Sequence, residues 1–226
     1  MLESLVRMGH KYGIPHILEG AITRLRKYYP QTLEEWDDLE ERRRRVDIAP
    51  GKEEECAITT VNLAHLTNTP ELLPAALFVL CRPSGDTGRK TWKTSRLDRL
   101  PEAYRGRLLN GRDALARCAV GRFLSLTVFE PSRACEIPTE CIASGVARVR
   151  GLNNESNTQL LPSSESALAS FFALIWMPRA ERLFPCSECR RKLAKIDKKM
   201  RREVWDSLAK YFDLEEQLPR WGPQEC

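Results

Sequence analysis

The chain has 226 residues, 42% of them hydrophobic and 30% charged, with a net charge of +5. That composition excludes disorder throughout, and no apolar stretch approaches the roughly 20 residues a bilayer span needs. The charge alone is too small to declare a polyanion partner, and three histidines leave little material for acid–base or nucleophilic constellations. The glycine cluster Gly85–Lys90 has neither Walker nor dinucleotide spacing. The expectation is a protein without enzymatic activity. Residues Met1–Arg7 show no basic flank followed by an apolar run, so the chain is expected in the cytoplasm or nucleus, with its eight cysteines reduced.

Ser4 is placed to cap a first helix carrying Leu5, Met8 and Tyr12 at spacings of three and four. Gly13 stops that helix. Pro15 opens a second one with Leu18, Ile22, Leu25 and Tyr29 on one side, and Pro30 ends it. Two short amphipathic helices cannot make a core alone, so this hairpin needs something to pack against. Thr32–Glu35 reads as a capping box for a third helix through Trp36 and Leu39. Asp38, Glu40 and Glu41 then precede Arg42, Arg44 and Arg45 by four residues, the favourable order for a solvated, ion-paired helix. A nuclear signal or phosphate-binding patch is the functional alternative for these arginines.

A loop over residues 47–51 leads into a second hairpin. Its first helix offers Ala57, Ile58, Val61, Ala64 and His65, Asn68–Pro70 make the turn, and Leu72–Leu80 is almost wholly apolar and reads as a buried helix. Pro74 falls in the first turn, where it is tolerated. His65 has no second ligand at helical spacing and reads as a core-edge residue.

Residues 82–122 hold eleven Lys/Arg against four acids. The first half reads as a loop around Trp92, and Pro101 to about Leu124 reads as a helix with Tyr104, Leu108, Leu115 and Val120 inward. Basic residues around an aromatic are one form of nucleic-acid footprint, but no stacking platform accompanies them and a solvated face is the plainer reading. Phe123–Phe129 reads as a β-like buried run. Residues 151–166 are polar and loop-like, and Ser163 or Ser164 is placed to cap an apolar helix over Ala167–Trp176. After Pro185 a basic helix runs through Leu193, Ile196 and Met200 towards Val204, Trp205 and Leu208. An aromatic tail follows with Tyr211, Phe212, Leu214 and Trp221.

One constellation carries metal chemistry. Cys186 and Cys189 form a C-x2-C pair, and Cys135 and Cys141 form a C-x5-C pair 44 residues upstream. Together they supply four thiolates for a closed, structural zinc site that ties the loop after Phe129 to the start of the C-terminal helix. Two other readings stay open: four thiols of no special role, and a redox pair at the C-x2-C, which lacks a strand–turn–helix context. The cofactor expectation is therefore none, or one structural zinc.

The stretch Leu5–Ile14, followed by Leu18 and Arg24–Pro30, resembles the closing helices of the BTB/POZ-domain proteins that mushroom-forming fungi carry in large numbers. Thr32–Trp36, Val61–Ala64, Leu66–Pro70, Leu73–Leu77, the Cys186/Cys189 pair, Val204–Leu208 and Tyr211–Phe212 extend the likeness. The resemblance implies an adaptor for protein–protein contacts, linked to ubiquitin-ligase scaffolds. Only the last two helices of a BTB domain have a counterpart, so residues 1–30 read as the end of an incomplete domain. Residues 31–81 read as a helical hairpin region and 82–226 as a less regular helical region in the place of a BACK segment. The front half that supplies the family's dimer surface is not matched, which weakens the case for a homodimer.

The sequence thus predicts a mainly α fold and a non-catalytic adaptor that binds other proteins through Leu5, Met8, Tyr12 and Trp221, with no membrane partner. Nucleic acid is not expected on this reading. The alternative is a zinc-stabilised, transcription-related nucleic-acid-binding protein.

Overall fold

The structure is a computed structural model and describes residues 2–38, 52–82, 94–128, 130–151, 163–176 and 186–221. Among these residues there are helices and turns but no strand, so the fold is mainly α. None of the helices is long and apolar enough to cross a membrane. The chain divides into two compact units, residues 1–114 with 205–226, and residues 115–204. This division does not coincide with the boundaries expected at 30/31 and 81/82.

In the first unit, α1 (Leu2–Lys11) and α2 (Pro15–Tyr28) form the expected hairpin. Gly13 sits at φ +60°, and Ile14 N–H bonds to Gly9 C=O at 2.8 Å, so α1 ends in a Schellman turn that needs a left-handed residue. One expectation for α1 is corrected. The helix begins at Leu2, ahead of Ser4, which lies inside it rather than capping it. Its inward face is Val6 and Gly9, while Met8 and Tyr12 point to solvent. Gly9 decides the orientation: a Cβ there would stand 2.9 Å from the backbone nitrogen of Leu18, so the helices approach through the residue with no side chain. The partner that the hairpin needed is α4 (Glu53–Thr67), on which α1 also packs.

Thr32 caps α3 (Leu33–Asp37) as expected, accepting from Glu35 N–H, and its hydroxyl donates to the Glu35 carboxylate at 3.0 Å. Leu39 and the acid–arginine pairs that follow lie outside the described residues, as does the loop around Trp92. Asn68, at φ 51°, ends α4 in the same left-handed manner as Gly13. Helix α5 (Leu73–Leu80) is buried on all sides, as its composition requires. Trp36 meets Phe78 edge-on at 5.5 Å and Trp205 at 5.3 Å. The indole of Trp205 donates to Gln31 C=O at 2.8 Å, so the C-terminal segment belongs to this core. Arg96, on the short α6 (Ser95–Asp98), is buried: its guanidinium takes both oxygens of Glu54 at 2.8 Å and closes the Leu80 carbonyl at the end of α5.

Helix α7 (Glu102–Thr127) contributes to both units. It absorbs most of the run expected as β-like: Phe123–Thr127 is helical, with Leu126 buried and Leu124 exposed. The local alternation loses because extending a helix already more than 20 residues long costs far less than starting a strand. Val120, expected inward, is exposed, and Ala119 and Arg122 face the interior instead. The second unit continues with α8 (Pro138–Gly151), a 3-10 turn over Glu165–Leu168, α9 (Phe171–Trp176) and α10 (Ser187–Asp206) up to Val204; α11 (Leu208–Tyr211) returns to the first unit. The cap of α9 is Ser170, whose Oγ accepts Ala173 N–H at 3.1 Å, not Ser163 or Ser164.

A buried ion pair pins the second unit. Arg122 and Asp197 have side chains only 3% exposed, and Arg122 Nη2 donates to Asp197 Oδ1 at 2.8 Å. The guanidinium also reaches the carbonyls of Ala167 and Ala169 and lies over the Phe171 ring, while Ser170 Oγ donates to Asp197 Oδ2 at 2.7 Å. Removing the carboxylate strands a buried cation, so Asp197→Ala is expected to lower stability by about 3–5 kcal/mol. Ser170→Ala, which removes one hydrogen bond and a cap, is expected to cost about 1–2 kcal/mol. Urea unfolding of the two variants checks the order; equal losses would remove the special weight of the ion pair.

Candidate metal centre

The four cysteines singled out by spacing converge in the second unit. Their Sγ atoms all lie within 4.8 Å of one another, with Cys135–Cys141 at 3.6 Å and Cys135–Cys186 at 3.7 Å. Four sulfurs at about 2.3 Å from a central zinc define a tetrahedron whose edge is about 3.8 Å. The described thiol spacings are those of a metal-sized cage.

Local structure puts each sulfur there. Cys135 closes a tight turn in which its N–H bonds to Ser132 C=O at 3.0 Å, and Cys141 lies in the first turn of α8, bonded to Ile137 C=O at 3.0 Å. Cys186 precedes α10 and its carbonyl accepts Arg190 N–H at 3.0 Å; Cys189 sits in the first turn of that helix. Lys192 Nζ donates to the carbonyls of Glu130 and Pro131 at 3.1 and 3.2 Å, fastening the incoming loop to the same helix. Cys141 and Cys189 are buried, while Cys135 and Cys186 form the half-exposed rim.

Three of the sulfurs accept backbone N–H groups. Cys186 N–H reaches Cys141 Sγ at 3.3 Å, Ser132 N–H reaches Cys189 Sγ at 3.2 Å, and Cys189 N–H reaches Cys186 Sγ. That last bond, opposed by partial burial, brings the Cys186 thiol down to about 7. Burial pushes Cys189 up to about 12 against the Ser132 N–H, and burial also raises Cys141 against the Cys186 N–H. The set therefore holds one acidic thiol and two resistant ones. A divalent cation inverts that order by displacing the protons from all four. Without a cation, the C-x2-C alone offers one reactive thiolate beside a protonated neighbour.

The other expected site residues are not brought together. Met8 and Tyr12 are 53% and 62% exposed, Leu5 is half-buried, and the half-buried Trp221 donates its indole N–H to Trp205 C=O at 2.9 Å. His65 lies edge-on to Tyr104 at 5.7 Å and takes no part in the cluster. Sequence reasoning missed the N–H donors around the sulfurs. The C-x2-C spacing carried a signal for one of them, since a residue three positions on directs its amide back to the first cysteine in a helical first turn. The Ser132 donor had no such signal.

Comparison with known proteins finds no matching family model, no similar curated protein and no similar solved structure.

In metal-free protein, iodoacetamide is expected to label Cys186 first among the four. Only the thiolate is the nucleophile, so lowering the thiol's affinity for its proton moves the rise in rate down to about pH 7. Peptide mapping after partial labelling checks this. First labelling at buried Cys189 or Cys141 would contradict the charge order.

Proposed function

We propose that the chain is a non-catalytic interaction protein, an adaptor of BTB/POZ type, whose second unit is fixed by one structural zinc ion held by Cys135, Cys141, Cys186 and Cys189. The observation that carries the zinc is the convergence of four cysteine sulfurs within 4.8 Å of one another. Soft thiolates select zinc over the hard cations, and four protein ligands leave no open position for a reacting water, so the ion is structural. The second unit also has reason to need it. Of the apolar residues buried among the described ones, thirty fall in the first unit and eleven in the second, two of those eleven being Cys141 and Cys189. A core of the size seen among the described residues gains from a metal staple.

The adaptor reading is supported by the likeness of Leu5–Ile14 and Arg24–Pro30 to BTB closing helices and by the solvent-facing Met8 on α1 and Tyr12 just after it. An apolar pair presented on the outer side of a packed helix suits a protein partner.

The expected metal content is one zinc per chain. Cys186→Ser/Cys189→Ser is expected to lose it together with several kcal/mol of stability, since metal binding is folding free energy in such sites. Elemental analysis and thermal unfolding check this; full stability without metal in the variant would reject the structural zinc. For the adaptor, Met8→Asp/Tyr12→Asp is expected to keep the helical signal and the metal but lose specific protein partners in a salt-washed pull-down. An identical set of captured proteins from parent and variant would reject that surface.

A further inference from the structure

Two of the basic residues conspicuous in the sequence turn inward and add nothing to a surface patch. Arg96 and Arg122, two of the eleven between residues 82 and 122, are buried and spend their charge on internal carboxylates and carbonyls. The positive charge collects elsewhere. Residues 115–204 hold fifteen Lys/Arg against nine Asp/Glu, a net +6, whereas the first unit holds twenty-one against twenty-two, a net −1.

Within the second unit the charge is concentrated on α10. Its exposed positions up to Val204 are Ser187, Arg190, Arg191, Lys195, Lys198, Lys199, Arg202 and Glu203, six of the eight basic. Arg191, Lys195, Lys198 and Arg202 follow the spacing i, i+4, i+7, i+11, which sets them in one line along about 16 Å of helix. Arg191 pairs with Glu188 at 2.8 Å and Lys199 with Glu203 at 3.7 Å, while among the described residues Lys195 and Lys198 have no carboxylate partner. The line cannot turn inward. The opposite face is committed through Cys189 in the sulfur cluster, Leu193 and Val204 in the core, and Asp197 on Arg122.

We infer that this face of α10 binds the phosphate backbone of nucleic acid. The inference goes beyond the adaptor reading and stands on the exposed helix face, not on the metal. A duplex presents one negative charge per about 1.7 Å of axis, so a 16 Å line of cations lies against about ten of them. The exposed positions of α10 include no aromatic, Asn or Gln, the residues that stack on bases or read adenine edges. Phosphate contact sets position and affinity, not sequence choice. A protein partner is the weaker fit, because interface centres rest on apolar and aromatic anchors and none is exposed on this helix. A membrane surface is weaker still: an interfacial helix must put its apolar side into lipid, and the apolar side of α10 is already buried in the protein.

The test is fluorescence anisotropy of a labelled 20-base-pair duplex DNA titrated with the full chain at several salt concentrations. Log K is expected to fall linearly with log salt, with a slope of about −3 to −4 for the four aligned cations. Lys195→Gln/Lys198→Gln is expected to weaken binding about tenfold or more at low salt and to flatten the slope by about 2. Lys195→Arg/Lys198→Arg is expected to bind like the parent. Both side chains being exchanged are solvent-facing, and unchanged circular dichroism confirms that the variants fold. The inference is overturned if the duplex does not bind at low salt, or if the Lys→Gln variant binds it as the parent does. Binding to polyglutamate or to phosphatidylserine vesicles but not to the duplex also overturns it, and assigns the face to an acidic protein or a membrane instead.

Discussion

Four cysteine sulfurs gathered within 4.8 Å tie three separate segments of the second unit together, and much of that unit's local structure follows from that gathering. The two cysteine pairs are separated by 44 residues, so bringing them together closes a long loop against chain entropy. The cluster fixes the start of α10 at Cys189. Two further pins hold the same helix downstream: Asp197 on buried Arg122, and Arg201, whose Nε donates to Leu168 C=O at 2.8 Å. The three are separated by eight and four residues, so they lie close to one side and set the rotation of the helix about its axis. The basic line on the other side follows from those pins.

The first unit is built on different physics. Its centre is the apolar segment Leu72–Leu80 with Trp36, Phe78 and Trp205 around it, and hydrophobic burial is the main term there. Polar groups serve the margins: Arg96 closes the end of α5, and Gly13, Asn68 and Asp213 take the left-handed conformations that finish helices. Among the described residues the second unit has the smaller apolar core, and its polar ties are strong only when complete, which is why loss of a single partner such as Asp197 costs so much.

Much of this was legible in the sequence where the signal is local. Gly13 before Pro15, the Thr32–Glu35 box and the unbroken apolar segment from Leu72 each dictate their own structure within a turn or two. The C-x2-C pair was legible for the same reason. Its union with Cys135 and Cys141 was an inference from chemistry, because nothing local states that two segments so far apart will meet. The readings that failed depend on distant partners. Arg96 and Arg122 are charged residues that face inward because carbonyls and carboxylates from other segments await them. Val6 and Gly9 make the inner face of α1, which the sequence did not show, because a glycine permits close approach to Leu18 and a pattern of apolar side chains does not register a residue that has none. At Phe123 the alternation of Leu124, Leu126 and Val128 with Ser125 and Thr127 mimicked a strand inside a continuing helix.

The central claim is that four sulfurs hold one zinc, and the most direct measurement is X-ray absorption at the zinc edge on the purified full chain. The account predicts a single shell of four sulfur scatterers at about 2.3 Å. A shell containing nitrogen or oxygen, or a chain that carries no zinc after purification without chelator, would contradict it.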